Sequence, residues 1–284
     1  MATFTNRATL SYNNGVVNSN TVTGQIVEVL SASKTALTDS YGSGDTVTYV
    51  INLINSGNTA YTGLTVTDDL GAYDFGASSV VPLSYINGTL RYFINGELQT
   101  VPSVGAVSPL TVTGINVPAN GNASIVYSAL TNEFAPLANN SQIVNTATVT
   151  GGGLSAPVTA TETIRRGNEP VLSISKSLNP LSVPVNGTLT YTFIIRNTGF
   201  TEAADEDNIV IRDVFDPILD ITSVTLNGTA LTPATGYTYD RTTGTFATVA
   251  GAVTVPAATF EQNASSGAYS ITPGAAILTI TGTV

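Results

Sequence analysis

One series of motifs occurs twice in this chain, and the two copies are out of frame with its ends. Aligning LSASKTA with LSISKSL places Lys34 over Lys176. Aligning GDTVTYVINLINSGNT with NGTLTYTFIIRNTGFT places Thr46 over Thr188, Tyr49 over Tyr191 and Asn55 over Asn197, each pair 142 positions apart (176 − 34). The piece that closes copy one, QIVNTATVTGGGLSAPVTATETI, has no counterpart after Val284. Its match is FTNRATLSYNNGVVNSNTVTGQI at the front, with Asn145 over Asn6, 139 positions apart (145 − 6). Copy two stops at AAILTITGTV, which matches NASIVYSAL just ahead of the closing piece. A fixed period implies repeated structural units. A spare piece at one end and a vacancy at the other predict units that join head to tail.

Alternation with a period of two dominates, and no amphipathic helical segment stands out. Val47, Tyr49, Ile51 and Leu53 alternate with Thr48 and Asn52, and Leu189, Tyr191 and Phe193 alternate with Thr190 and Thr192, as half-buried sandwich strands do. Asn-Gly pairs at Asn87, Asn95, Asn186 and Asn227, and the Asn-Ser-Gly and Asn-Thr-Gly after Ile54 and Arg196, supply turns. NGT at Asn87 also reads as a glycosylation sequon, although the turn accounts for it without a sugar. The expected fold is all-β, with two tandem sandwiches. Residues 1-29 form a donor-strand region, 30-165 a complete sandwich, and 166-284 an incomplete one that accepts the N-terminal strand of a neighbouring subunit. The polar RRGNEP from Arg165 to Pro170 reads as the hinge. Extra hairpins are expected over 80–115 and 222–262, where the copies align poorly.

Composition narrows the function. A net charge of −10 with only nine basic residues leaves little to neutralise phosphates, so nucleic acid is not an expected partner. The absence of Cys and His excludes disulfides, Cys/His zinc sites and imidazole catalysis. No apolar run of about 18 to 20 residues suggests membrane insertion, and the polar start after Met1 does not read as a secretion signal. Serine is plentiful, but no G-x-S-x-G elbow accompanies it, and Asp68 and Asp69 point to opposite faces of a strand. No enzyme acting on an external substrate is expected, and no cofactor.

Lysine on the first strand, then GDTVTY at Gly44 to Tyr49, NSGN at Asn55 to Asn58, TVTD at Thr65 to Asp68 and NTATVT at Asn145 to Thr150 form an ordered set. That set resembles the bacterial surface-protein repeat known as the domain of unknown function eleven, and it covers both copies. The resemblance implies immunoglobulin-like sandwiches in extracellular, cell-surface or spore-surface proteins, and no catalysis on a substrate. The split second copy departs from the family pattern, with Asn6 to Leu10 standing for its last strand.

The chain has two lysines, and both fall on the apolar side of an alternating strand: Leu30, Ala32, Lys34 and Ala36 share one face, and Leu172, Ile174, Lys176 and Leu178 another. By the same parity Asp68 lies with Leu64, Val66 and Leu70, and Asp213 with Ile209, Ile211 and Phe215. Asn145 lies with Ile143, Ala147 and Val149, and Asn6 with Phe4, Ala8 and Leu10. Lysine, acid and amide in an apolar core resemble the self-forming isopeptide sites of Gram-positive surface proteins. Burial favours a neutral amine and a protonated acid, so the amine can attack the amide carbonyl and release ammonia. The other reading is a buried ion pair with Asn as its neighbour. The candidate sets are Lys34, Asp68 and Asn145 within one chain, and Lys176 and Asp213 with Asn6 of another.

An incomplete sandwich exposes unpaired strand edges beside an apolar groove. The leading strand, with Phe4, Asn6, Ala8, Leu10 and Tyr12, is the expected filling, by donor-strand complementation into a homopolymer. The competing arrangement pairs residues 1-29 with the first sandwich and leaves the second complete with fewer strands. A monomeric adhesin or module binding matrix or carbohydrate is the alternative function. The acidic Glu202, Asp205, Glu206 and Asp207 form a weak calcium candidate without regular ligand spacing.

Overall fold

The computed structural model describes residues 2–13, 15–26 and 29–284. The chain is all-β, and it divides into two compact units, Met1–Arg166 and Gly167–Val284. Among the described residues a single 3₁₀ turn, Asp205–Asp207, interrupts the strands. Among the described residues no helix is long and apolar enough to cross a membrane.

The first unit is a two-sheet, immunoglobulin-like sandwich. One sheet runs in the order Glu97–Leu98, Arg91–Ile94, Gly121–Thr131, Thr46–Asn55, Leu30–Ala36. The other runs Ser103–Val107, Leu110–Val117, Tyr61–Asp68, Gln142–Gly151, Val158–Arg166, Ser40–Tyr41. Period-two alternation dictates the layering: Val47, Tyr49, Ile51 and Leu53 are buried, while Thr48, Val50 and Asn52 between them are not. Leu64, Val66, Ile115, Ala147 and Val149 of the other sheet are buried as well. At about 25 cal/mol per Å2 this apolar layer is the main source of the unit's stability. Asn95 and Gly96 both take positive φ (49° and 84°), as a two-residue hairpin turn between Arg91–Ile94 and Glu97–Leu98 requires.

The polar turns are structural too. Asn55 is buried, and its amide donates to the carbonyls of Thr59 and Pro118 while its oxygen accepts the Gly57 N–H. Asn197 repeats this arrangement with Thr201, Val255 and Gly199. The matched Asn-x-Gly motifs thus satisfy loop backbone groups that would otherwise be buried without partners.

The second unit copies half of this plan fully. Leu172–Asn179, Thr188–Asn197, Gly274–Thr283, Asp220–Leu226 and Thr229–Ala230 form one sheet. Its facing sheet is Arg212–Val214, Thr245–Thr248 and Tyr237–Asp240. A core of Leu189, Phe193, Ile195, Phe215, Phe246, Leu278 and Ile280 lies between them. In the first unit Tyr61–Asp68 has Leu110–Val117 on one side and Gln142–Gly151 on the other, so that Asp68 faces both Leu110 and Ala147. In the second, Arg212–Val214 pairs with Thr245–Thr248, with Asp213 facing Phe246, and its other edge pairs with none of the described residues.

The N-terminal segment differs from the expected single strand. Ala2–Asn6 pairs with Val22–Ile26, and Thr9–Tyr12 with Gly15–Asn18, which together make one long hairpin paired only with itself among the described residues. The reason lies in its cross-strand partners. Phe4 lies opposite Gly24 and Tyr12 opposite Gly15, and each ring covers the bare glycine, where an added Cβ would come within 2.4 Å and 3.0 Å of it. Phe4, Leu10, Tyr12, Val16, Val17 and Val22 are nonetheless all at least half exposed. An isolated two-stranded hairpin is at best marginally stable in water. This one carries a load of apolar side chains and has no core beneath it.

Candidate functional site

The first unit gathers Lys34, Asp68 and Asn145 around two tyrosines in its centre. Lys34 comes from the outer strand of one sheet, facing Ile51 in the ladder. Asp68 and Asn145 come from adjacent strands of the other, where Ala147, two residues past Asn145, faces Asp68. Lys34 Nζ lies 2.6 Å from Asp68 Oδ2, and both side chains are all but fully buried. Tyr127 Oη donates to the same oxygen at 2.7 Å, and the Leu70 N–H donates to Oδ1 at 3.1 Å. Asn145 Nδ2 donates to Tyr127 Oη at 3.1 Å, while its Oδ1 is buried with no hydrogen-bond partner. Tyr49 stacks on Tyr127 with ring centroids 5.5 Å apart, and Lys34 Nζ sits 4.9 Å from the Tyr49 centroid.

This surrounding shapes the charges. Burial pushes the Lys34 amine below its usual range even against the opposing pull of Asp68. Burial, followed by the Asp68 charge, pushes the Tyr127 phenol well up. Burial therefore loosens the lysine's hold on its proton beside an amide with an idle carbonyl oxygen, an oxygen whose lost hydration costs about 1–3 kcal/mol if nothing replaces it. Tyr127 and Tyr49 escaped the sequence reading because aromatic residues at inward positions look like plain core. The available signal was a hydroxyl-bearing ring at Tyr127 among Ala123, Ile125 and Ala129, all on the same face.

The second unit holds the same pair in the open. Lys176 Nζ bonds Asp213 Oδ2 and lies 4.5 Å from the Tyr191 centroid. The lysine side chain is 41% exposed and the aspartate 16%. Its strand was expected to bury one face, yet Leu172, Ile174 and Lys176 are all exposed. The cause is the missing neighbour: in the first unit Val158–Arg166 packs beside the Lys34 strand, and here no described residue takes that place. What remains is an open apolar groove of about 330 Å3 lined by Leu172, Ile174, Ile195, Ile209 and Ile211. Asn6, matched to Asn145 by sequence, sits exposed in the hairpin. Ile280 faces Tyr191 where Tyr127 faces Tyr49, so this copy lacks the bridging phenol.

The acidic stretch does not converge on a point. Asp207 accepts the Ala204 N–H and Asp205 the Glu206 N–H, each carboxylate capping its own turn. Among the described residues no group of acids is placed to hold a metal ion. Short Asp side chains in a tight turn bond their own backbone.

Two predictions arise here. Tyr127→Phe removes one donor from a buried carboxylate and should lower stability by about 1–3 kcal/mol in chemical denaturation; an unchanged midpoint would show that the phenol carries no weight. In Asn145→Ala the Lys34 amine must remain free. Its folded pKa lies below the unfolded 10.5, so between those values the unfolded chain binds the extra proton and stability should rise with pH. The buried tyrosines, whose ionisation is pushed up on folding, reverse the trend above about pH 10. Denaturation across pH 7 to 11 that shows no such maximum would contradict this.

No known protein family matches the chain, and no curated protein does. Solved structures do resemble it. The major pilin subunit BcpA of Bacillus cereus shares 12% identity over 95% of this chain and 73% of its own, with a TM-score of 0.36. The pilus backbone RrgB of Streptococcus pneumoniae shares 12% over 86% and 55%, with a TM-score of 0.36. ACE19, the collagen-binding subdomain of the Enterococcus faecalis surface protein ACE, shares 10% over 51% and 100%, with a TM-score of 0.31. Likeness this loose extends to the all-β fold and no further.

Proposed function

We propose that this protein is the structural subunit of an extracellular fibre, at a cell or spore surface, in which the N-terminal hairpin of one molecule fills the open second unit of the next. One correspondence carries the reading: the hairpin matches in sequence the Gln142–Gly151 and Val158–Arg166 pair, and that pair fills in the first unit the place that stands open in the second. Donor and vacancy are therefore copies of one solved packing problem. Ala147 faces Asp68 in the first unit, so its counterpart Ala8 should face Asp213 of the neighbour. Phe4, Leu10, Val17 and Val22, exposed in the free hairpin, are available for burial at about 1.5–3 kcal/mol for each large side chain, and the unpaired edge of Arg212–Val214 gains a ladder. The same patch cannot satisfy itself, so the contact is heterologous and propagates.

The first-unit site belongs to this reading as an internal staple. Neutral Lys34 attacks the Asn145 side-chain carbonyl, the new C–N bond forms as the old one breaks, and ammonia leaves with the proton that Asp68 relays. In a chain without cysteine, such a bond resists both pulling and reductant.

Ile174→Asp tests the groove with little risk to folding, since Ile174 is 58% exposed. Light scattering should show wild-type polymers and a monomeric variant. A wild-type protein that stays monomeric at high concentration would favour the monomeric adhesin reading instead.

A further inference from the structure

Building on the head-to-tail reading, we infer that the open Lys176 and Asp213 pair is the receiving half of a crosslink between molecules, completed by Asn6 of a second copy and formed only after that copy's hairpin covers it. The half that is present is already arranged. Lys176 Nζ touches Asp213 and rests 4.5 Å above Tyr191, as Lys34 rests 4.9 Å above the matched Tyr49. Phe193 and Phe215 extend this aromatic floor, at 5.4 and 5.7 Å from the amine. Only the amide and the cover are missing.

Register supplies both. In the first unit the amide stands two residues before the residue facing the acid, Asn145 before Ala147, and so on the same face of its strand. Asn6 and Ala8 keep that spacing in the hairpin. Docked with Ala8 opposite Asp213, the hairpin carries Asn6 onto the lysine side of the sheet. A slip of one residue would turn Asn6 to the outer face, so only the correct joint can react.

Exposure is the timing device. Covering an amine removes the water that favours its charged form, and only the uncharged form has a lone pair to offer. Once covered, the neutral Lys176 nitrogen attacks Asn6 Cγ, and a C–N bond forms as the Cγ–Nδ2 bond breaks. The proton lost by the amine passes through Asp213 to the departing nitrogen, which leaves as ammonia. No oxidant or further reactant is needed. Because Ile280 replaces the bridging phenol, Asp213 bonds Lys176 and the Val214 N–H and no other described residue, and can engage the incoming amide directly.

The test is to boil assembled protein in detergent with reductant, separate it by size and sequence the joined peptides by mass spectrometry. Wild type should give a ladder and a peptide linking Lys176 to Asn6, one ammonia lighter than its parts. Lys176→Arg and Asn6→Ala should lose the ladder completely, and electron microscopy of the same samples reads separately whether the joint still forms. Wild-type assemblies that fall entirely to monomers, or a ladder that survives Lys176→Arg, would overturn the crosslink while leaving the strand reading intact. Failure to assemble at all would overturn both.

Discussion

Deleting residues 1–26 should convert the polymer into single molecules, with no filaments visible by electron microscopy at concentrations where the full chain forms them abundantly. The removed hairpin contributes Phe4, Leu10, Val17 and Val22, all at least half exposed in the free chain. At about 1.5–3 kcal/mol each, their burial in a neighbour outweighs any single contact elsewhere in the joint. The truncated protein should also regain something when the isolated 1–26 peptide is added, because a ligand that binds only the folded groove stabilises it by mass action. Its thermal midpoint should rise with peptide concentration until one peptide is bound per chain. Filaments that persist without the hairpin would refute the joint as described.

Asp68→Ala should be the most damaging single substitution in the first unit. It leaves Lys34 with no counter-charge in a site where the side chain has no access to water, and breaking one member of a buried pair costs about 3–5 kcal/mol. It also removes the proton relay. With Lys176→Arg present in both proteins to keep molecules unlinked, the intact mass of the Asp68→Ala variant should therefore equal that of its sequence, while the protein with Asp68 is lighter by one ammonia. Lys34→Met also abolishes the bond, but the Asp68 carboxylate it leaves behind keeps the Tyr127 hydroxyl and the Leu70 N–H as donors, so it should cost less stability than Asp68→Ala. Equal stability losses in both variants would argue against the buried-charge account, and a wild-type mass equal to its sequence would argue against the staple.

The alternation at Val47 to Leu53 and the matched Asn55 and Asn197 turns were legible in sequence because both depend on short-range rules: side-chain parity in a strand, and a small amide that satisfies its own loop. Parity likewise assigned Lys34, Asp68 and Asn145 to one interior. Three things were not legible. The hairpin form of the first 26 residues depends on Phe4 and Tyr12 lying across Gly24 and Gly15, a pairing set by register. Tyr127 joins the site by bonding Asp68 and Asn145 of the facing sheet, a contact that strand parity alone does not reveal. Lys176 sits on a strand that reads as half-buried, yet it is exposed, because burial depends on whether a neighbouring strand is present and not on the strand's own pattern.

The decisive measurement uses the chain's lack of cysteine. The register that pairs Thr148 with Thr67 places Thr9 of one molecule beside Arg212 of the next. Thr9→Cys and Arg212→Cys proteins, mixed under mild oxidation, should give disulfide-linked dimers between the two variants. A Thr3→Cys control, far out of register, should give few. Equal linkage from Thr3 and Thr9, or a double variant that closes the bond within one chain, would contradict assembly through a neighbour's hairpin.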